Sequence, residues 1–329
     1  MLDQKAGPAA ATPVSRLKTV RFGVLLNLTL LLLLILIWTA LSITTDSFLT
    51  ANNITNLMRQ ASLLAIIAIG QTFVIITGGI DLSVGAIVGL TSVIVSMLLV
   101  ADVPIWASVL LTLLCGAGIG AVHAFGVVYM YLPPFIVTLA GLTAWRGVGL
   151  LLTDGMNVAG LPKEFTAFSR SDFLGLPTLF WMVVLVAVPA YVLLHHTRHG
   201  RYIYAVGSNA EAVRLSGISI KRTLFLVYIV SGTCASLAGI LAASRLSLGI
   251  ATTGNMWELQ SIASSVIGGT SLFGAVGSVA GPTMGAILLS TINQGANLLN
   301  VNPFWQLVLT GLLIVLIVFL DQLRRRRRT

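Results

Sequence analysis

Residues 56–100 read NLMRQASLLAIIAIGQTFVIITGGIDLSVGAIVGLTSVIVSMLLV. Two apolar runs, 56–77 and 80–100, lie end to end with only Gly78-Gly79 between them, and Arg59 and Asp81 are the only charged residues in the stretch. Each run has the roughly 20 helical residues that a crossing of the hydrocarbon core requires. Outward from this stretch the pattern repeats, with further apolar runs at 22–42, 104–131, 134–152, 178–196, 220–243, 257–273, 276–298 and 303–321. Only 9% of the 329 residues are charged and 57% are hydrophobic, where a soluble domain carries about a quarter charged residues. The mean hydropathy is +0.98. The chain therefore reads as all-α, a polytopic membrane protein of about ten transmembrane helices. The run at 257–273 is short and speckled with polar residues. Both it and the Gly78-Gly79 boundary leave open a broken or re-entrant helix, which is tolerated only where protein or water lines it.

A net charge of +9 raises nucleic acid as a partner, but the basic residues cluster beside apolar runs, as topology signals do. With the N-terminus inside, Lys5, Arg16, Lys18, Arg21, Arg198, Arg201, Arg214, Lys221, Arg222 and Arg324 to Arg328 all fall on the cytoplasmic side, fourteen of nineteen basic residues. The reverse orientation inverts that bias, so both termini are expected inside. The expected organisation is a cytoplasmic tail at 1–21, a transmembrane domain at 22–323 and a basic tail at 324–329. A long outer loop lies at 153–177 and a basic inner segment at 197–219. The run after Arg21 imitates a signal peptide, but its length and the lack of a small-x-small cleavage site make it an uncleaved first span. Cys115 and Cys234 both fall in apolar runs, so neither a disulfide nor a metal framework is implied.

The stretch Gly78-Gly79-Ile80-Asp81-Leu82-Ser83-Val84-Gly85 joins two apolar helices. Paired glycines allow the backbone to break at little steric cost, and Asp81 or Ser83 is placed to cap the helix that follows. Asp81 is the one acidic residue read as lying deep in the apolar map. There an ionisable group is costly unless paired, and it marks either a functional site or a structural cap. Val74 to Gly85, VIITGGIDLSVG, is echoed by Val266 to Gly277, VIGGTSLFGAVG. Gly78, Gly79, Gly268 and Gly269 are the candidate hinges, since duplicated glycine-interrupted segments often mark the path through a transporter. A chance match of two glycine-rich turns is the competing reading.

A second motif runs from Gly207 to Gly217, GSNAEAVRLSG. Ser208 and Glu211 have capping-box spacing and Gly217 supplies a stop. The expected helix has about two turns, too short to be stable alone, so it must dock on something. Gly85 and Gly89, Gly116 and Gly120, and Gly277, Gly281 and Gly285 repeat at four-residue spacing, which lets helices approach closely. Pro189 and Pro282 suggest kinks. Arg146 is placed to hold backbone carbonyls or to meet a polar solute. His123, His195, His196 and His199 have no metal-ligand spacing. No Gly-Lys dipeptide occurs, which excludes a Walker A phosphate loop, and no hydrolase or kinase signature is present. The chain is not expected to be an enzyme.

At these residues the sequence resembles the monosaccharide (ribose-type) permeases of bacterial ABC importers. The resemblance rests on GGIDLSVG at 78–85, HHTRHGRYIYAVGSNAEAVRLSGI at 195–218, SLAGILAASRL at 236–246 and ELQSIASSVIGGTSL at 258–272. It implies the larger ABC importer permease fold and the bacterial inner membrane. It also implies assembly with a second permease copy or paralogue, a cytoplasmic ABC ATPase and a periplasmic or lipid-anchored sugar-binding protein. ATP and Mg would be bound by the ATPase, so no cofactor is expected here. Ser208, Asn209, Glu211, Ala212, Arg214, Leu215 and Gly217 would form the coupling helix seated in the ATPase. Gln71, Thr77, Asp81, Ser83, Arg146, Glu258 and Thr270 are the expected substrate-path residues, with the hydroxyls of Thr77 and Ser83 suited to a passing sugar. Gln71 stands where members of the family often carry Met. Other small solutes (inositol, an autoinducer sugar, branched-chain amino acids) remain alternatives, as does a proton-coupled secondary carrier. Such a carrier would need more intramembrane carboxylates.

Overall fold

The computed structural model describes residues 13–326. Its helices in chain order are α1 (Pro13–Thr44), α2 (Ala51–Ile76), α3 (Val84–Val100), α4 (Ile105–Val128), α5 (Pro134–Thr153), α6 (Lys163–Phe168) and α7 (Thr178–Tyr191), the last continued by a π-helical turn, Val192–His196. There follow α8 (Arg198–Ser208), α9 (Ala210–Leu215), α10 (Ile220–Leu246), α11 (Trp257–Ile267), α12 (Ala280–Leu298) and α13 (Pro303–Arg326). A two-stranded hairpin, β1 (Asp172–Phe173) with β2 (Leu176–Pro177), is the only sheet among the described residues. Parts of the two tails, residues 1–12 and 327–329, lie outside the described residues.

The all-α polytopic architecture is as expected, and each of the ten apolar runs falls on a helix. Among the described residues, five helices are long and apolar enough to cross a membrane: α2, α4, α5, α7 with its π turn, and α10. The axis of the bundle is α2, in which every residue from Ala61 to Ile76 is buried. Around it pack α10, α12, α11 and α7. Opposite in character are α4 and α5, which turn apolar side chains such as Trp106, Leu114 and Leu139 outward. In a membrane, lipid is the solvent for such faces.

The run at 257–273 is not a full crossing. It contains only the 11 residues of α11, which rise about 16 Å against a hydrocarbon core of roughly 30 Å. Non-helical chain at 247–256 supplies the rest of the path. Pro282 does not kink α12, because it is the third residue of that helix, where its missing N–H has no intrahelical partner to lose. Pro189 sits inside α7, and the π turn begins three residues later. The expected capping box of Ser208 and Glu211 does not form: a simple cap one residue on replaces it, and Glu211 pairs with Arg214 instead. Ser208 is absorbed into the end of α8, and the α9 cap is Asn209, whose Oδ1 accepts from Ala212 N–H at 3.0 Å. Gly217, at φ +75°, does end α9. Its N–H bonds the Arg214 carbonyl and that of Ile218 the Val213 carbonyl, a Schellman pair.

The glycine stripes are backbone contacts, as their spacing predicts, except that Gly277 lies before α12 and meets the Ile76 side chain. A Cβ on Gly116 would strike Ser236 and the Gly232 carbonyl of α10, and one on Gly120 would strike the Tyr228 carbonyl. Gly281 and Gly285 meet the backbone of Gly268 and Ser264. Segment 153–177 is pinned rather than loose: Arg59 Nη2 donates to the Arg170 carbonyl and pairs with Asp172 at 3.2 Å, and Ser244 Oγ donates to the Phe165 carbonyl.

Candidate functional site

α2 ends in a Schellman motif. Gly78, at φ +82°, donates to the Ile75 carbonyl and Gly79 to that of Val74. The chain then runs extended and buried to Ser83 before α3 begins. Asp81 is completely buried. Its Oδ1 accepts from the Ser83 N–H at 3.0 Å and the Ser83 hydroxyl at 2.5 Å, and Oδ2 accepts from the Ser231 hydroxyl of α10 at 2.7 Å. Gln71 clamps the same residue from α2: its Nε2 donates to the Asp81 carbonyl at 3.0 Å and its Oε1 accepts from the Asp81 N–H at 3.1 Å.

The donors continue in one direction. Because the Ser83 hydroxyl proton is committed to Asp81, Ser83 Oγ accepts from His123 Nδ1 at 3.3 Å, and His123 Nε2 accepts from Trp145 Nε1–H at 3.0 Å. His123 is thereby a neutral imidazole with its proton on Nδ1. The chain Trp145–His123–Ser83–Asp81–Ser231 ties α5, α4, α3 and α10 to the break.

Gln71, Asp81 and Ser83 are thus brought together, but not as open sugar-binding groups. The Ser83 hydroxyl is consumed by Asp81, and that of Thr77 donates to the Val74 carbonyl at 2.7 Å. Asp81 does not cap the first turn of α3. It forms an Asx turn with Ser83, and neither side chain reaches the N–H groups beyond Ser83.

The echo at 266–277 is real in the backbone, with a shift of one residue. α11 also ends in a Schellman motif: Gly269, at φ +92°, donates to the Val266 carbonyl and Thr270 to the Ser265 carbonyl. Gly269 therefore matches Gly78, while Gly268 packs on the Gly281 carbonyl. The two breaks meet, since Ala275 N–H donates to the Ile76 carbonyl at the end of α2. α8 closes over this seam. Tyr204 donates its hydroxyl to the Gly277 carbonyl at 2.8 Å, and Gly207 lies so close to the Ile76 carbonyl that no side chain fits. Asp321 of α13 accepts from the Ser271 hydroxyl and the Leu272 N–H. The Thr270 hydroxyl is buried with no partner among the described residues.

Arg146 and Glu258 form a third locus. Arg146 Nη1 donates to the carbonyls of Ala251 (2.6 Å) and Thr253 (3.0 Å), so it holds backbone as expected. Glu258, in the first turn of α11, is a second buried carboxyl, and its Oε2 lies against Gly85 without a partner. The sequence reading missed it as a deep acid, along with Ser231, Trp145 and Tyr204, and took Gly207 only as the start of the 207–217 motif. His123 was visible but carried no ligand spacing. On α9, Glu211 and Arg214 pair with each other and both are exposed. That pairing holds the Glu211 carboxyl below its ordinary range and raises the Arg214 guanidinium. Beside them Leu215 is 76% exposed.

Discontinuous helices, held by buried polar side chains inside an apolar bundle and gripped by short amphipathic helices at one end, define a polytopic membrane permease. The family model described as "Branched-chain amino acid transport system / permease component" matches residues 53–318, and the chain belongs to that family. It is 41% identical over 299 residues to the ribose import permease protein RbsC of Escherichia coli (strain K12), covering 90% of this chain and 92% of that protein. RbsC of Bacillus subtilis (strain 168) is 41% identical over 283 residues, covering 85% and 88%. The xylose transport system permease protein XylH of Escherichia coli (strain K12) is 33% identical over 350 aligned positions, covering 86% and 88%. No solved structure matches the chain.

Proposed function

We propose that this chain is the non-catalytic, membrane-spanning permease subunit of an ATP-driven monosaccharide importer in the bacterial inner membrane. The observation that carries the reading is the near full-length likeness to ribose permeases, 41% identical over 90% of the chain. In the assembly, two permeases (identical or paralogous) form the path, an ABC ATPase supplies the work, and a periplasmic or lipid-anchored binding protein delivers a ribose- or pentose-like sugar. Both termini and α8–α9 face the cytoplasm.

The geometry supports a mechanism. α9 offers the ATPase an exposed ion pair and the bare Leu215, and a six-residue helix of this kind gains its stability by docking. Asn209 joins it directly to α8. α8 in turn holds the ends of α2 and of the α11–α12 connection through Tyr204 and Gly207. A displacement of α9 would therefore reach both helix breaks at once, with no intervening flexible loop. A proton-coupled carrier is disfavoured by the same near full-length likeness to ribose import permeases. The test is reconstitution of the permease with its ATPase and binding protein in proteoliposomes. ATP-dependent uptake of ribose or xylose is expected. Uptake driven by a pH gradient without ATP would instead establish a carrier.

A further inference from the structure

The non-helical segment 247–256 starts at the outer loop, where Gly249 and Val158 exchange backbone hydrogen bonds at 2.9 Å, and continues against the small-residue face of α3. Gly249 packs on Ser96, the Ile250 carbonyl accepts from the Ser92 hydroxyl at 3.0 Å, and Ala251 meets Gly89. Gly254, at φ +80°, meets Gly85. The segment thus follows α3 along most of its length. Where Ala251 meets Gly89 it has passed eleven residues of α3, or about 16 Å of rise, from the Val100 end. Its clasp by Arg146 lies seven residues, roughly 10 Å, from the Thr153 end of α5. Both measures place it well within the hydrocarbon zone.

The two sides of this segment differ. Its inward carbonyls, those of Ile250, Ala251 and Thr253, are satisfied by Ser92 and Arg146. Thr252 and Asn255 face outward and are exposed, and neither the hydroxyl nor the amide has a hydrogen-bond partner among the described residues. Non-helical backbone carrying free donors and acceptors does not face lipid; it is found where protein buries it or where it lines water. Thr143, one turn from Arg146 on α5, is exposed as well.

We propose that the turn Thr252-Thr253-Gly254-Asn255 lines the aqueous translocation path, and that the Thr252 hydroxyl and Asn255 amide exchange hydrogen bonds with the hydroxyls of a passing uncharged polyol. This deepens the sugar-import reading and rests on it. It moves the substrate contact away from Thr77 and Ser83, whose hydroxyls are spent, to the side chains that are free. Both groups donate and accept without carrying charge. That suits a ring of hydroxyls that must bind weakly enough to leave.

The test uses the complete importer in membranes, with Cys115 and Cys234 replaced by Ala and single cysteines introduced by Thr252→Cys, Asn255→Cys and, as a lipid-facing control, Leu111→Cys. A charged methanethiosulfonate should label the first two at least tenfold faster than the control, and saturating sugar with its binding protein should slow them. In parallel, Asn255→Ala and Thr252→Val should raise the KM for uptake several-fold, while Thr252→Ser restores it. Labelling no faster than at Leu111→Cys overturns the proposal, because a lipid or a second protein then covers the turn. Fast labelling with neither sugar protection nor any change in KM also overturns it, leaving a wet surface without a sugar contact. Failure of the import reading is separately visible, as absence of ATP-dependent monosaccharide uptake by the unsubstituted protein.

Discussion

Asp81 accepts three hydrogen bonds at the break between α2 and α3, and what those donors can do without it decides the effect of substitution. In Asp81→Asn the remaining oxygen keeps both Ser83 donors, and the new amide faces Ser231 Oγ, which accepts once its hydroxyl rotates. All contacts survive. In Asp81→Ala the hydroxyls of Ser83 and Ser231 are stranded in a buried site, at about 1–3 kcal/mol for each left unpaired. Asp81→Asn is therefore expected to unfold thermally close to the parent protein and Asp81→Ala several degrees lower, measured on the purified permease in detergent. If Asn proves as damaging as Ala, the negative charge itself is required and the hydrogen-bond account is wrong. Sequence made Asp81 and Gln71 conspicuous because each interrupts an apolar run. It could not show Ser231, His123 or Trp145 as partners, since periodicity reports which residues share a face of one helix and says nothing of which helices meet.

At the scale of elements, α9 is a six-residue helix with an exposed ion pair and an exposed Leu215, the surface proposed to meet the ATPase. Replacing Asn209 with Ala removes the cap and should cost about 1 kcal/mol of local stability, seen as faster amide exchange over 210–215. Exchanging both charges, Glu211→Arg with Arg214→Glu, keeps an internal pair while reversing the field presented to the ATPase. We expect a folded, assembled importer in which ATP hydrolysis no longer drives uptake; normal transport would remove α9 from the coupling route. The pair also sets a pH dependence. A carboxyl whose folded pKa is depressed contributes stability above its unfolded pKa and loses it as pH falls through the lowered value. The local stability of α9 should therefore fall on the acid side, read as faster amide exchange over 210–215, and Glu211→Gln should abolish that dependence. Tyr204→Phe tests the next link: it deletes one hydroxyl bound to the Gly277 carbonyl and should lower sugar moved per ATP while leaving ATPase binding intact. The existence of α9 was legible from its capping residues and stop glycine. Its first residue was not, because Ser208 and Asn209 are both good caps and only the continuation of α8 through Ser208 decides between them.

Across the whole molecule, helices are brought together by the absence of side chains, and α4 carries its own internal control. Transmembrane helices gain little from burying apolar surface that lipid solvates equally well, so close backbone packing has to hold them. Gly116 and Gly120 lie directly on the backbone of α10, with no room for a methyl group between. Gly118, on the same helix, has nothing within 4 Å of where its Cβ would stand. Composition treats the three alike, and only the four-residue spacing separates the packed pair from the odd one. Gly118→Ala should then be neutral or slightly stabilising, since alanine in a helix is favoured over glycine by roughly 0.5–1 kcal/mol. Gly116→Ala and Gly120→Ala make the same intrinsic gain but force α4 away from α10, and with it His123 away from Ser83. Both are expected to lower folded yield and thermal midpoint in the same membrane preparation, with Gly118→Ala as the reference. Because α10 also supplies Ser231 to Asp81, a shift of α4 that left the break undisturbed would show as lost stability with transport per folded molecule retained. A loss of transport in the molecules that do fold would instead show that the contact between α4 and α10 holds the two halves of the hinge in register.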